Sequence, residues 1–336
     1  MESNTEEIKK WNRYEKRWKI RDFYFNKALR RHMIVKYLHR EPVMIRYAKR
    51  WVMSKKRANQ YIAERIKSGE PFMACRFGNT ELCIMTSVLK RRLVGIEEKN
   101  EERLLEWFER SCTGAGMFPN DIALAETFTD VMLEACKDVD LLGMWHLHME
   151  DYVIETYMQQ AKLTYLFSLE PWLAQNPWSG ALKGKKILII HPFEDSIRSQ
   201  YARREEIFPG RDVLPEFELK TLKAVQTFAG ETDERFTNWH EALQYMYKEA
   251  MKIDFDLAVL GCGAYGFPLA SMIKRAGKQA VHLGGATQLL FGIKGNRWEN
   301  HYPSRIASCF NDAWVYPLES EKPKNAVAVE NACYWK

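Results

Sequence analysis

The segment ACRFGNTEL, residues 74–82, gathers groups suited to handling phosphate. Arg76 stands at the end of a short apolar run, Gly78 permits a tight turn, and Asn79 and Glu81 follow within one helical turn. A guanidinium and a carboxylate delivered to one place can bind an anion together with a cation or a sugar hydroxyl. An Arg76–Glu81 ion pair with a purely structural role is the competing reading. A second segment, IIHPFEDSIRSQYARR at 189–204, offers His191, Glu194 and Asp195 after a hydrophobic run, with Arg198 one helical turn on. Any of the first three can serve as a general base. Equally, Asp195 can cap a helix while Glu194 complements its dipole.

Two glycine segments complete the set. LGCGAYGFPL, residues 260–269, places Gly261, Gly263 and Gly266 in a G-x-G-x-x-G pattern. Glycines directly after a strand let backbone N–H groups approach a phosphate at a helix N-terminus. The dinucleotide version of this pattern expects an acidic residue at the end of the next strand. Here that run, KQAVHLGG, ends in His282, which weakens a nicotinamide reading and favours a mononucleotide or nucleotide sugar. In VHLGGATQLLFGIKGNRW, 281–298, Gly284 and Gly285 again bring backbone close to a ligand, and Gln288 can hydrogen-bond a base or sugar. Lys294 and Arg297 read as solvated surface. A weaker cluster, MWHLHMEDY at 144–152, carries His146, His148, Glu150 and Asp151. An H-x-H pair without a third defined ligand reads as a polar loop more readily than as a metal site.

These residues need elements that bring them together. After residue 57, short apolar runs alternate with stretches of helical period. PFMACRFG, DVDLLGMW, LTYLFSL, KKILIIHPF, LKTLKAVQTF, DFDLAVLG and KQAVHLG are predicted strands. RANQYIAERIKSG, NTELCIMTSVLKR, NEERLLEWFERSC, IALAETFTDVMLEAC, DSIRSQYARREEIF, NWHEALQYMYKEAMKI, FPLASMIKRAG and GATQLLFGI are predicted helices, with Asn79 as an N-cap and Gly69 and Gly277 as stops. Such alternation is the mark of βαβ units. The expected fold is α/β: a Rossmann-like, mostly parallel sheet flanked by helices. In such sheets ligands sit beyond the carboxyl ends of the strands, where all four segments begin.

Composition bounds the function. The chain has 336 residues, 46% hydrophobic and 28% charged, the proportions of a folded soluble protein. Disorder, collagen and a small disulfide scaffold are excluded, and no apolar run approaches the ~20 residues of a membrane span. The seven cysteines are scattered with no C-x-x-C pair, so a reducing, cytoplasmic compartment is expected. Cys262 reads as a small buried residue in a tight loop. The start, MESNTEEIKKWNRYEKRWK, lacks the apolar core of a secretory signal. The net charge of +6 conceals an asymmetry: residues 1–57 hold eighteen Lys/Arg against six Asp/Glu, interleaved with aromatics such as Trp11, Tyr14, Trp18 and Trp51. This segment is read as a basic aromatic helical extension, 1–57, preceding a catalytic domain, 58–336. A helical cap is one role for it; peripheral contact with an anionic membrane is another. Nucleic acid is not expected as a partner, because no recognised nucleic-acid module follows.

Taken together, RFGNTEL near the start and LGCGAYGFPLASMIKRAGKQAVHLGG near the end resemble the bacterial GT-D-type glycosyltransferases, over roughly residues 60–295. That family carries an R-F-G-D-x-E segment early in its catalytic domain. Late in the domain come a glycine-containing strand–helix turn and a strand ending in a D-x-G-like segment. The resemblance implies a Rossmann-like sheet, a nucleotide-diphosphate-sugar donor and a divalent cation, Mn or Mg, near the D-x-E carboxylates. It thus implies Glu81 and Asn79 as cation ligands. Donor binding would fall to Arg76, Gly78, Asn79 and the glycines at 261, 263, 266, 284 and 285, with Gln288. Glu81 would be catalytic, with Asp195, Glu194 or His191 as the candidate base. This chain departs from the pattern at two points: Asn79 replaces the first acidic position, and His282-Leu283 stands where the late acidic residue is expected. The implied activity is transfer of a sugar to a glycan or lipid-linked acceptor in surface polysaccharide or glycoconjugate synthesis, in the cytoplasm or at the inner face of the membrane. A non-catalytic nucleotide-sugar or polysaccharide-binding module and an NAD(P)-dependent oxidoreductase are the rival classes.

Overall fold

Side-chain alternation along the strands divides the core into two halves, one on each face of a single sheet. The computed structural model describes residues 2–22, 45–231, 233–301 and 306–336. In strand β6 (Lys186–His191), Ile187 and Ile189 pack on one face while Leu188 and Ile190 pack on the other. Strand β3 (Phe72–Cys75) repeats the division, with Phe72 and Ala74 opposite Met73 and Cys75. A period of two with both faces apolar is what a parallel strand covered by helices on both sides requires.

The remaining strands are β1 (Arg46–Tyr47), β2 (Arg50–Met53), β4 (Leu141–Met144), β5 (Lys162–Tyr165), β7 (Glu218–Lys223), β8 (Leu257–Leu260) and β9 (Gln279–His282). They form one sheet in the order β1-β2-β5-β4-β3-β9-β8-β6-β7. Every pairing is parallel except the β1–β2 hairpin. The expected α/β fold with a mostly parallel sheet is thus observed. Strand β6 leads outward to β7, whereas its neighbour β8 leads inward to β9. The connections therefore diverge between β6 and β8, the kind of crevice in which ligands of such sheets sit.

The main helices are α1 (Glu2–Arg21), α2 (Lys55–Ser68), α3 (Asn79–Val94), α4 (Glu98–Gly114), α5 (Leu124–Cys136), α6 (Glu150–Tyr157), α7 (Glu194–Ala202), α8 (Trp239–Met251) and α9 (Gly266–Arg275). Their ends obey local chemistry. The Ser54 side chain caps α2 by accepting from the Arg57 N–H, and Gly69 closes it in the left-handed region at φ 73°. Asn238 caps α8 through the Glu241 N–H. Asn79 does not cap α3: the cap position is Gly78, with no side-chain bond, and Asn79 is the first helical residue. The predicted helix over GATQLLFGI shortens to Thr287–Leu290, preceded by a tight turn at Gly284–Ala286.

The amino-terminal segment differs from the expected helical extension. Helix α1 packs Trp11 and Tyr14 into the core against Tyr152 of α6, with ring centroids 4.8 and 5.7 Å apart. Residues 46–53, however, form the hairpin at the sheet edge, with β2 parallel to β5. A boundary at residue 57 therefore cuts through the sheet. The cause is visible in Trp51-Val52-Met53, aromatic and β-branched residues suited to a strand but masked in the sequence by flanking Arg and Lys. Residues 23–44 of the expected extension lie outside the described residues. Among the described residues no helix is long and apolar enough to cross a membrane.

Candidate functional site

A cavity of about 1140 Å³ opens at the carboxyl ends of β3, β4, β6, β8 and β9. Its floor is made by the strand-end loops. At the end of β3, Arg76 points into it, and the guanidinium lies over the Trp145 ring, 5.0 Å from the centroid. Trp145 is itself fixed, because its indole N–H donates to the Phe77 carbonyl at 3.1 Å. The Arg76 Nε is sealed from solvent and has no hydrogen-bond partner among the described residues. Burial lowers the guanidinium pKa, while the Glu81 carboxylate nearby opposes the shift. A desolvated cation with an unused donor is a site prepared for an anion.

Glu81 occupies the first turn of α3 and is 8% exposed. Its carboxylate accepts from the Thr80 hydroxyl at 2.7 Å and folds back over Gly78. A β-carbon at Gly78 would lie 1.8 Å from Glu81 Oε2, so only glycine leaves the carboxylate where it is. Asn79, Thr80 and Glu81 all line the cavity. Asn79 Oδ1 receives only a long contact from Cys83 Sγ, at 3.8 Å. Among the described residues no three His, Cys, Asp or Glu side chains are grouped as metal ligands. The oxygen pair of Asn79 and Glu81 nonetheless suits a hard cation of the Mg²⁺ type, which typically takes one or two protein oxygens and completes its shell with phosphate and water.

The opposite wall comes from β6, β8 and β9. His191 is buried at the end of β6, and its Nδ1 accepts from the Phe193 N–H at 3.0 Å. Burial pushes its pKa down to about 3. The ring is therefore neutral near pH 7 with the proton on Nε2, and it offers a donor rather than a base. Gly261 and Gly263 line the cavity, and Gly261 approaches His191 so closely that a β-carbon would meet its Cδ2 at 2.5 Å. Gly263 has φ 57°, and a β-carbon there would lie 2.5 Å from the Ala115 carbonyl. Gly266 has a different role from the one expected: it stands outside the lining and leaves room for the His282 ring. That imidazole, also in the cavity wall, is held near pKa 3 by burial and then by Arg76.

Gly284, Gly285 and Gln288 are brought to the same cavity. Gln288 is fully buried, and its Nε2 donates to the carbonyls of Ile293, Lys294 and Tyr334 at 2.9–3.3 Å. Its Oε1 is buried without a partner among the described residues. Two expected site residues are not brought in. Asp195 is exposed and outside the lining; its backbone N–H, not its carboxylate, is engaged, by Glu321 at 2.8 Å. Glu194 turns to Arg198 at 2.9 Å and to Thr221 at 2.6 Å. Glu321, from far along the chain, caps α7 in place of a local residue.

Other parts of the site come from segments that sequence spacing does not join. Arg297, expected on the surface, lines the cavity, donating to the Tyr334 hydroxyl at 2.9 Å and to Glu330 at 2.6 Å. Tyr334 and Trp335 complete the wall from the C-terminal segment, with Trp335 packed on Phe193 at 5.6 Å. Glu170, after β5, also lines the cavity, and its charge acts on Arg76. Beneath the β4 loop lies Glu150, fully buried. It accepts from the His146 N–H at 2.9 Å, the Trp145 N–H at 3.3 Å and the Tyr47 hydroxyl at 3.2 Å. Burial raises its pKa to about 7. Of the weak cluster at 144–152, then, Glu150 serves as a brace for the loop. Cys262 is buried with its thiol pushed up to about 12 by burial, which matches a packing residue.

No family model matches the chain, and no curated protein matches it. Two solved structures are similar to it in part. One is described as the highly conserved domain of unknown function 1792, with a distinct glycosyltransferase fold; it is 13% identical, with 80% of this chain and 96% of that chain covered, at a TM-score of 0.39. The other is a selenomethionine-substituted structure of domain of unknown function 1792, 14% identical over the same shares of the two chains, at a TM-score of 0.37.

Proposed function

We propose that this chain is a glycosyltransferase that moves a sugar from a nucleotide-diphosphate sugar to a glycan or lipid-linked acceptor. One observation carries the reading: a cavity at the strand ends where the unpartnered Arg76 Nε, the Glu81 carboxylate and the glycine turns at 261–263 and 284–285 meet. Its volume of about 1140 Å³ suits a ligand larger than a simple mononucleotide.

The chemistry assigns roles. Glycosyl transfer passes through an oxocarbenium-like state while negative charge grows on the departing diphosphate. Arg76 receives that charge, aided by the His191 Nε2–H and by the backbone N–H groups of the glycine turns. Asn79 and Glu81 would hold a divalent cation, which supplies further neutralisation of the diphosphate when bound. Glu170, beside Arg76 in the cavity, is the carboxylate we assign to the acceptor hydroxyl, in place of Asp195.

Thermal melting against a panel of nucleoside diphosphates, their sugars and NAD(P), with and without Mn²⁺ or Mg²⁺, tests this reading. At least one nucleotide-diphosphate sugar should raise the melting temperature of the parent and not of Arg76→Ala. A panel in which no nucleotide sugar shifts the parent, or in which only NAD(P) does, contradicts it.

A further inference from the structure

The outer face of α1 and the edge hairpin form a second feature, separate from the cavity. Arg13, Lys16, Arg17 and Ile20 recur at i, i+3, i+4 and i+7, so they share one helical stripe, and all four are exposed. The opposite side of the helix is buried through Trp11 and Tyr14. Arg17 and Ile20 line a pocket of about 280 Å³ together with Arg46 and Lys49 of the hairpin, and its one carboxylate among the described residues, Asp151, is neutralised by Arg21 at 2.7 Å. The Arg46 guanidinium lies over Trp51, 5.3 Å from the ring centroid. Ile20 is 50% exposed, Ile45 66% and Trp51 69%, so three of the exposed large hydrophobic residues sit in this one place.

Cations and exposed apolar side chains interleaved on one surface are the chemistry of an interfacial membrane contact. The rings and aliphatic chains enter the headgroup layer while the cations meet anionic lipid phosphates. Among the described residues neither Arg17 nor Arg46 makes an ion pair: Arg17 lies over the Tyr14 ring, 5.3 Å from the centroid, and Arg46 donates to the Lys49 carbonyl at 3.3 Å. We propose that α1 and the 45–53 hairpin dock this protein onto an anionic lipid bilayer, with a lipid phosphate between Arg17 and Arg46 at the mouth of this pocket, Lys49 being held by Glu155 at 2.7 Å. The docked face adjoins the cavity. Tyr47 lines the basic pocket, His146 lines the cavity, and their rings are 5.1 Å apart. A membrane-bound acceptor would thus be presented beside the proposed active site; that consequence rests on the glycosyltransferase reading, whereas the docking itself does not.

Co-sedimentation of the full chain with phosphatidylcholine vesicles, and with vesicles enriched in phosphatidylserine, tests the proposal. The parent should pellet with the anionic vesicles only and release in high salt, as shortening of the Debye length demands. Arg17→Ala with Arg46→Ala should weaken binding about thirty-fold, the share of two interfacial cations. Ile45→Ser with Trp51→Ser should weaken it as well, and at an ionic strength where the charges alone do not hold. Unchanged melting temperatures of both double variants show that the fold is intact, and retained nucleotide-sugar binding separates this proposal from the proposed activity. No pelleting of the parent, pelleting that ignores both double variants, or Arg17- and Arg46-dependent binding to duplex DNA in the absence of vesicle binding overturns it.

Discussion

Glu81 shares a few ångströms of space with Gly78, and that crowding yields the sharpest local prediction. Gly78→Ala places a methyl group where the Glu81 carboxylate lies. Because that carboxylate is the end of a flexible side chain, it should swing aside and leave the fold intact. Turnover should then fall about 10²–10³-fold, as for loss of one electrostatic contact in a transition state. Near-parental rates for both Gly78→Ala and Glu81→Gln, in variants that melt normally, would contradict the role of Glu81. Glu150 makes a separate prediction. Its folded pKa of about 7 lies above the unfolded carboxylate value, so the folded state holds the extra proton. Stability from this group is complete below about pH 4 and is lost as pH rises through about 7, by on the order of 3 kcal/mol. Denaturant titrations from pH 4 to 8 should show that loss in the parent and a flatter profile in Glu150→Gln. Arg76, Glu81 and the glycines after β8 and β9 were legible in the sequence because each follows its strand directly. Arg297 and Tyr334 were not, because long loops return them to the cavity and no local spacing encodes that return; Glu170 follows β5 in a strand-end loop with no glycine turn or charge pair to mark it.

The elements set where those residues stand. Gly263 begins the turn after β8 in the left-handed region, against the Ala115 carbonyl at the end of α4. Gly263→Ala meets both a positive φ and a backbone atom, so it should cost about 1–2 kcal/mol from backbone strain alone, with more from the contact. Urea unfolding measures it; an unchanged midpoint would show that the turn can relax. Strands β3 to β6, β8 and β9 were readable because each lies in a short apolar run between helical stretches, and β7, Glu218–Lys223, through the run LKTLKAVQTF that begins within it; the parallel sheet follows from their alternation with helices. The hairpin at 46–53 was hidden by its own cations, which made an edge strand look like an amphipathic helix. Edge strands commonly carry such charges, since an uncharged edge invites pairing with other chains. Asp195 misled for a related reason. It sits at a helix N-terminus after a strand, as a catalytic acid can, but Glu321 reaches that terminus instead and leaves Asp195 facing solvent.

At the scale of the whole molecule, the chain closes on itself at the cavity. The loop after β3 and the first turn of α3 supply Arg76 and Glu81, and the C-terminal segment supplies Tyr334 and Trp335. Removing residues 331–336 should therefore lower stability by at least the about 3–5 kcal/mol of one buried Trp, and should open the cavity wall that Tyr334 and Trp335 build. Melting of the truncated chain with and without donor separates the two losses; a truncated chain with parental melting and parental donor affinity would show that the tail is not part of the site. The central claim is that the cavity breaks the bond between a sugar and a nucleoside diphosphate. Chromatographic detection of nucleoside diphosphate released from a panel of nucleotide-diphosphate sugars, comparing the parent with a normally folded Glu81→Gln variant, tests it most directly. The parent should release nucleoside diphosphate from at least one donor, and the variant at least about 10²-fold more slowly. Donors that bind the parent but remain intact, or equal release by the two proteins, would contradict it.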